Sequence, residues 1–203
     1  MDMGFSRNNF GSESSYEMSS SKSVLGFWVY IMSDCILFSV LFAVYAVFKS
    51  HTFGGPDSTE LFSLPFVFIE TIILLCSSFT FGLAMISIKE KSKTCVMKWM
   101  TITFLLGFIF ICMEIHEFYE FYLHGYTVKN SAFLSSFFTL VGTHGIHVFF
   151  GLIWILNMLF QVKKHGVGTS SIKTKLTCLS LFWHFLDVIW IFVFSLVYLI
   201  GTL

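Results

Sequence analysis

The stretch V-G-T-H-G-I-H-V-F-F-G at residues 141–151 sets two histidines in the middle of an apolar run that is too long for a helix in a soluble core. On a helix, His144 and His147 are three residues apart and therefore lie on the same face. Hydrocarbon chains offer an imidazole no hydrogen bond, so this face must point at protein, at bound water or at a head group that reaches inward. Candidate partners elsewhere in the chain are Asp34, His184 and Asp187.

The composition is that of an integral membrane protein. Of the 203 residues, 56% are apolar and 12% are charged, and the mean hydropathy is +0.80, which leaves too little polar surface to cover a water-soluble globule. Twelve basic residues balance twelve acidic ones, which gives no sign of nucleic-acid binding. The five cysteines form no Cys-x-x-Cys pair, and we interpret them as free packing residues.

Five long apolar segments follow a serine-rich tail. Residues 1–23 hold eight serines among scattered charges and no apolar core, which predicts a disordered tail that is not a cleavable signal peptide. Residues 24–203 are predicted to form one all-α transmembrane domain, because each apolar segment has the roughly 20 residues that a helix needs to cross the hydrocarbon. The predicted spans are about 26–48, 64–88, 96–118, 132–162 and 176–201.

The basic residues predict the orientation, because Lys and Arg are retained on the cytoplasmic side during insertion. Ten of the twelve lie in the N-terminal tail, the second loop and the fourth loop, whereas the first and third loops carry one each, Lys49 and Lys129. This distribution places the N-terminus in the cytoplasm and the C-terminus in the periplasm. Such an arrangement requires an odd number of spans, and five spans satisfy it.

The helical rise of about 1.5 Å per residue places the ionisable residues of the spans in two layers. The inner layer, between the midplane and the cytoplasmic half, holds Asp34, His144, His147, His184 and Asp187. The outer layer gathers Glu70 with Glu114, Glu117 and His116. A lone charge in hydrocarbon costs about 2.5–3.5 kcal/mol or more, so groups that cluster by depth are expected to be paired or held neutral.

Three interpretations of the inner layer remain open. In the first, its three histidines and a carboxylate bind a metal or haem, although a membrane di-iron enzyme needs a larger histidine set. In the second, all of its members except His144 relay protons, which their residue types allow. In the third, which we prefer, the layer is a buried polar network that holds the helices together and seats lipid head groups.

Five motifs follow one another along the chain. They are G-F-W-V-Y-I-M-S-D-C-I-L-F at 26–38, L-P-F-V-F-I-E-T at 64–71, H-E-F-Y-E at 116–120, G-T-H-G-I-H-V at 142–148 and W-H-F-L-D-V-I-W at 183–190. In this order they resemble subunit III of the haem-copper oxidases, and they touch all five predicted spans. Within that superfamily the chain is most similar to subunit III of the bacterial cytochrome bo-type ubiquinol oxidases. The typical mitochondrial relative carries two further N-terminal helices.

The resemblance implies a five-helix bundle with a lipid-holding cleft that packs against oxidase subunit I. Haem and copper would lie in subunit I, so this chain would be a non-catalytic subunit of a proton-pumping quinol oxidase in the bacterial inner membrane, with no catalytic, cofactor-binding or metal-binding residue of its own. Its partners would be subunit I directly, subunits II and IV of the same complex, and phospholipid. The alternatives are subunit III of a cytochrome c oxidase and, from another class, an autonomous membrane transporter or metal enzyme.

The resemblance also assigns individual residues. Asp34 matches the family's intramembrane carboxylate, which reacts with carbodiimides where it is Glu. Glu117 and Glu120 match the family's paired acidic residues, which adds Glu120 to the outer layer. The remaining matches, to the family's buried polar set, are His144, His147, His184 and Asp187.

Overall fold

The computed structural model describes residues 5–49, 64–90, 92–126 and 131–200, with side chains described from residue 21 onward. Within these ranges there are five long helices and no strand. They are α1 (Phe5–Phe48), α2 (Leu64–Lys89), α3 (Lys93–Leu123), α4 (Ala132–His165) and α5 (Ser170–Val193), the last continuing as a π-helical segment, Phe194–Leu199. Each contains a stretch long and apolar enough to cross a membrane, so the predicted all-α, five-span architecture is confirmed.

The helices extend beyond the predicted spans. Helix α3 runs from Lys93 to Leu123, against a predicted 96–118, and α5 begins at Ser170, against 176. An apolar run marks the part of a helix inside the hydrocarbon, whereas the helix itself continues into the head-group region. The orientation of the bundle across the membrane stays a prediction from the lysine distribution.

The first helix differs most from its prediction. Its backbone is helical from Phe5, whereas the composition of 1–23 predicts disorder, and its apolar span begins at Ser21. A helix that a span has already nucleated gains one hydrogen bond for each residue added, so it extends into a sequence that would not start a helix alone. Residues 1–4 of the predicted tail lie outside the described ranges.

Helices α2 to α5 form a closed ring, in which each packs on the next and α5 returns to α2. Helix α1 lies against the outside of this ring and packs on α4 and α5. Aromatic side chains that are at most 1% exposed fill the interior, among them Phe81, Phe110, Phe137, Trp183 and Trp190. A polar side chain that points into this ring of helices is therefore surrounded by aromatic side chains. A hydrogen-bond partner for it must come from a neighbouring helix.

Trp183 of α5 joins three other helices. A Cβ built on Gly107 of α3 would lie 2.9 Å from its indole, and one on Gly151 of α4 would lie 3.0 Å from it. The indole N–H donates to Ser77 Oγ of α2 at 3.1 Å. Small residues let membrane helices approach closely. The two glycines thus make room for the indole where the helices meet.

The π-helical segment changes the direction of the side chains at the end of α5. Its i→i+5 hydrogen bonds make a wider turn than those of an α-helix, and Tyr198, within the segment, is fully buried. Two side chains donate to carbonyls at this end: the hydroxyl of Tyr45, in α1, to Val197 at 3.5 Å, and the ammonium of Lys49, directly after α1, to Ile200 at 2.8 Å. These bonds tie the end of α1 to the end of α5.

Candidate functional site

One buried pair joins α1 to α4. Asp34 Oδ2 lies 3.6 Å from His147 Nε2, and the two side chains are 9% and 18% exposed. The other ring nitrogen, Nδ1, lies 2.7 Å from the Thr143 carbonyl oxygen. Because a carbonyl only accepts hydrogen bonds, Nδ1 carries a hydrogen. Nε2 is therefore the atom of His147 that can share a proton with the Asp34 carboxyl group.

A second polar pair joins α5 to α2. His184 Nδ1 lies 2.6 Å from Ser78 Oγ, at hydrogen-bonding distance. Asp187, one turn further along α5, has its Oδ2 atom 3.9 Å from the same nitrogen, which is an electrostatic contact and too long for a hydrogen bond. The Asp187 side chain is 6% exposed, whereas the His184 side chain is 44% exposed. The group thus has one end in the interior and one at the surface of the bundle.

His144 is fully buried among aromatic rings. Its ring centroid lies 5.2 Å from that of Trp190, 6.0 Å from Phe110 and 6.4 Å from Phe38. Among the described residues, neither of its ring nitrogens has a hydrogen-bond partner. The Phe38 ring also packs on His147, at 5.3 Å. The predicted inner layer therefore consists of two separate polar pairs and one histidine enclosed by rings.

Three carboxyl groups, Glu70 of α2 with Glu114 and Glu117 of α3, form what we call the acidic cluster; each residue is at most 7% exposed. They lie close enough to interact electrostatically. The Tyr198 hydroxyl donates to Glu117 Oε2 at 2.9 Å. Within the described ranges, both oxygens of Glu70 and Oε1 of Glu114 lack a hydrogen-bond partner. Gly145 of α4 leaves the space for Glu114, since a Cβ there would lie 2.6 Å from its carboxyl oxygens.

Glu120 lies apart from the acidic cluster. Its side chain is 48% exposed and lies 3.9 Å from His124 Nε2, one turn along α3. Each step of three residues falls about 60° short of a full helical turn, so Glu120 lies about 120° around the helix from Glu114. His116, the other residue considered for the outer layer, is also exposed. The structure thus brings together three of the four predicted outer carboxylates and turns the fourth outward.

Several hydroxyl groups contribute to these sites without having been identified from the sequence. They are Thr71, Ser77, Ser78 and Tyr198. Thr71, for example, accepts the indole N–H of Trp190 at 3.1 Å. Serine and threonine in membrane helices commonly bond to their own backbone, so their presence in a span does not indicate a partner. The position of Tyr198 depends on a π-helical turn for which the sequence offers no signal.

The geometry gives no set of metal ligands in the part of the chain that the structure describes. In those ranges, no three His, Cys, Asp or Glu side chains converge in a way that could hold a metal ion. His144 and His147 share a helix and yet face different surroundings, the first an aromatic enclosure and the second a carboxyl group. The polar side chains are arranged as contacts between helices.

A cavity of about 810 Å³ lies between the start of the α1 span, the second half of α4 at Trp154 and the start of α5. Phe27, Tyr30 and Trp154 line its apolar part, and hydroxyls that include Thr174 line its polar part. Lys175, also on its wall, donates to Gln161 Oε1 at 3.2 Å. The cavity combines an apolar surface with a polar rim at one end of the bundle.

Comparison with known proteins gives matches along nearly the whole chain. The family model described as cytochrome c oxidase subunit III matches residues 11–202. A cytochrome bo(3) ubiquinol oxidase subunit 3 from Pseudomonas putida is 53% identical over 185 residues, which is 91% of this chain and 89% of the relative. The ubiquinol oxidase subunit 3 from Buchnera aphidicola subsp. Acyrthosiphon pisum is 47% identical, and the match covers 96% of this chain and 95% of the relative. A cytochrome c oxidase subunit 3 from Bacillus sp. (strain PS3) is 45% identical, and the match covers 87% of this chain and 85% of the relative.

Proposed function

Because the chain belongs to the cytochrome c oxidase subunit III family, the non-catalytic third subunit of the haem-copper oxidases, we propose that it serves a quinol oxidase whose electron donor is ubiquinol. The chain is a multi-pass protein of the bacterial inner membrane, with five spans. The choice of donor is supported by the relatives from Pseudomonas and Buchnera, which are named ubiquinol oxidase subunits.

Subunit III of a cytochrome c oxidase is the second candidate. The relative from Bacillus sp. bears that name at 45% identity, which is below the 53% and 47% of the two ubiquinol oxidase subunits. In either complex the haem and copper would lie in subunit I. The identity of the electron donor is therefore a property of the assembled oxidase, and the activity of the whole complex must be measured to determine it.

The observation that carries a scaffolding role is that three polar contacts within the bundle each join two helices. They link Asp34 to His147, Ser78 to His184 and Tyr198 to Glu117. Hydrogen bonds between membrane helices, such as the second and third of these contacts, are worth about 0.6 kcal/mol on average and up to about 1.7 kcal/mol. Together they connect α1 with α4, α2 with α5 and α3 with the end of α5. We infer that this bundle supports subunit I from one side, with subunits II and IV completing the complex.

We also propose that the cavity between α1, α4 and α5 holds part of a phospholipid. Aromatic side chains along its wall, such as Phe27 and Trp154, suit an acyl chain. The hydroxyl of Thr174 and the ammonium of Lys175 on the same wall suit a phosphate group. The cavity lies at the end predicted to be cytoplasmic, where lipid head groups would be within reach.

Purification of the tagged chain in a mild detergent tests the proposal. We expect the chain to be recovered with larger polypeptides that carry haem, and the preparation to oxidise ubiquinol and not reduced cytochrome c. Removal of the chain should leave the haem of the remaining complex in place and shorten the lifetime of its activity. Oxidation of cytochrome c would favour the second candidate.

The same purification distinguishes the alternative class. A transporter or metal enzyme would be recovered without haem-bearing partners, and it would show flux in liposomes or bound metal by itself. Phospholipid retained by the complex is measured by mass spectrometry. Substitution of Thr174 and Lys175 by Val and Leu should reduce that retention if the cavity holds the lipid.

A further inference from the structure

One stripe of α5 is left uncovered between α1 and α2. On one flank of the helix, Phe192 packs on Phe42 of α1, with ring centroids 6.3 Å apart. On the other flank, Trp190 donates to Thr71 of α2. Residues on a helix are about 100° apart, so the positions between these flanks recur every three or four residues. We call the stripe of His184, Val188 and Ile191 the α5 face.

The α5 face is open along its length. The exposed fractions are 44% for the His184 side chain, 49% for Val188 and 42% for Ile191. Helix α1 and helix α2 both pack on α5, on either side of this stripe. The face therefore lies between α1 and α2, and we call the space over it the groove. An apolar groove alone does not specify its occupant, because lipid chains would suit Val188 and Ile191 equally well.

His184 gives the groove a chemical requirement that lipid chains do not meet. It lies about 12 Å inside the predicted span 176–201, counted along the helix from residue 176, and so within the hydrocarbon. Its Nδ1 atom is engaged by Ser78, and among the described residues nothing bonds to Nε2. A polar group left unsatisfied in hydrocarbon is costly, and head groups lie about 15 Å from the midplane. A partner for Nε2 must therefore be a polar side chain carried into the membrane on another helix.

We propose that a transmembrane helix of another subunit occupies the groove over the α5 face and presents a carboxyl, amide or hydroxyl side chain to His184 Nε2. The inference rests on the proposed function, since it requires a complex, and it names the surface through which the chain joins that complex. The apolar residues of the face contact the same helix one and two turns further on. The helix is a partner with one polar residue in an otherwise apolar span.

Photo-crosslinking in the haem-bearing complex tests this occupant. A benzoyl-phenylalanine in place of Val188 should form an adduct with another polypeptide. Benzoyl-phenylalanine in place of Phe160, which lies on α4 and is 65% exposed, serves as the reference, because it reports the neighbours of a different face. Adducts of Val188 with phospholipid alone, or with a second copy of this chain, would overturn the proposal. Because the experiment starts from an assembled complex, its failure leaves the proposed function intact.

Three substitutions separate the polar contact from a purely internal role. His184→Leu should raise the apparent dissociation constant of the chain from the complex by about 3- to 18-fold, the range for one hydrogen bond between membrane helices. His184→Gln should retain most of the binding. Ser78→Ala removes the internal bond to Nδ1 and leaves Nε2 in place, so its effect should be small. Equal losses for His184→Leu and Ser78→Ala would show that the histidine acts within the bundle and would refute the inference.

Discussion

Gly107→Ala should loosen the ring of α2 to α5 by displacing Trp183. The added Cβ would lie 2.9 Å from two carbon atoms of the indole and 2.9 Å from Leu152 Cδ2. Carbon atoms are at their best separation at about 3.5–4.0 Å, so the indole must move by about 0.6 Å or more. It has no room to retreat towards α4, because Gly151 already lies against its other edge.

The expected cost has two parts. Overpacking of this kind typically costs about 1–3 kcal/mol. The indole N–H also lies 3.1 Å from Ser77 Oγ, and a shift that breaks this bond costs about 0.5–1.5 kcal/mol more. The sum, about 1.5–4.5 kcal/mol, corresponds to a fall in Tm of about 3–18 °C for a chain of this size. The fall in Tm is measured by heating the purified complex in steps and using gel filtration to determine how much of the chain it retains.

Gly82→Ala is the matched control for Gly107→Ala. A Cβ on Gly82, inside α2, meets nothing within 4 Å, so Gly82→Ala should show only the helix-propensity gain of about 0.5–1 kcal/mol that both substitutions share. In a Trp183→Phe background the cost of Gly107→Ala should shrink, because the clashing atoms are gone. An equal Tm for the two glycine variants, or an unchanged cost without the indole, would refute the assignment of Trp183 as the residue that joins these helices.

Three further predictions use the same thermal ramp. Tyr198→Phe should destabilise the chain by about 1–3 kcal/mol, because a buried carboxyl oxygen loses its donor, whereas Tyr45→Phe, which removes a bond of 3.5 Å, should cost less; equal costs would count against this reading. Asp34→Leu should cost about 1–3 kcal/mol and Asp34→Asn clearly less, because Asn keeps a polar group beside the imidazole. Similar losses would contradict the pairing. His144→Phe should change stability by less than about 1 kcal/mol and His147→Phe by more, because only His147 loses a polar partner. The reverse order would disprove that His144 is surrounded only by aromatic side chains.

The sequence predicts the five helices well because length and hydropathy alone determine where a chain crosses a membrane. It predicts their ends less well, since a helix continues past the apolar run, as α3 does to Leu123. Serine-rich composition describes a segment in isolation and not one that continues a span, so it does not indicate the helical backbone of α1 from Phe5. The π-helical turn that holds Tyr198 has no composition or spacing that would announce it.

For the candidate site, the sequence predicts depth better than direction. Counting residues along a helix places Asp34, His147, His184 and Asp187 at similar levels, and the structure pairs the first with the second and sets the third beside the fourth. Rotation about the helix axis is not accessible in the same way, because every face of these spans is apolar. For that reason the sequence groups Glu120 with residues from which it turns away, and it does not indicate the enclosure of His144 by aromatic rings.

Rotation is settled in the folded chain by the polar contacts themselves. In lipid, apolar faces gain little by meeting one another, since the surrounding hydrocarbon is equally apolar. A helix that carries an aspartate or a histidine, in contrast, avoids a cost of several kcal/mol by turning that residue towards a partner. Asp34 lies on the face of α1 that meets α4, and Tyr198 joins the end of α5 to α3. His184 meets Ser78 through Nδ1 and, in our proposal, a second subunit through Nε2, so this polar residue at the surface should help to orient the chain within its complex.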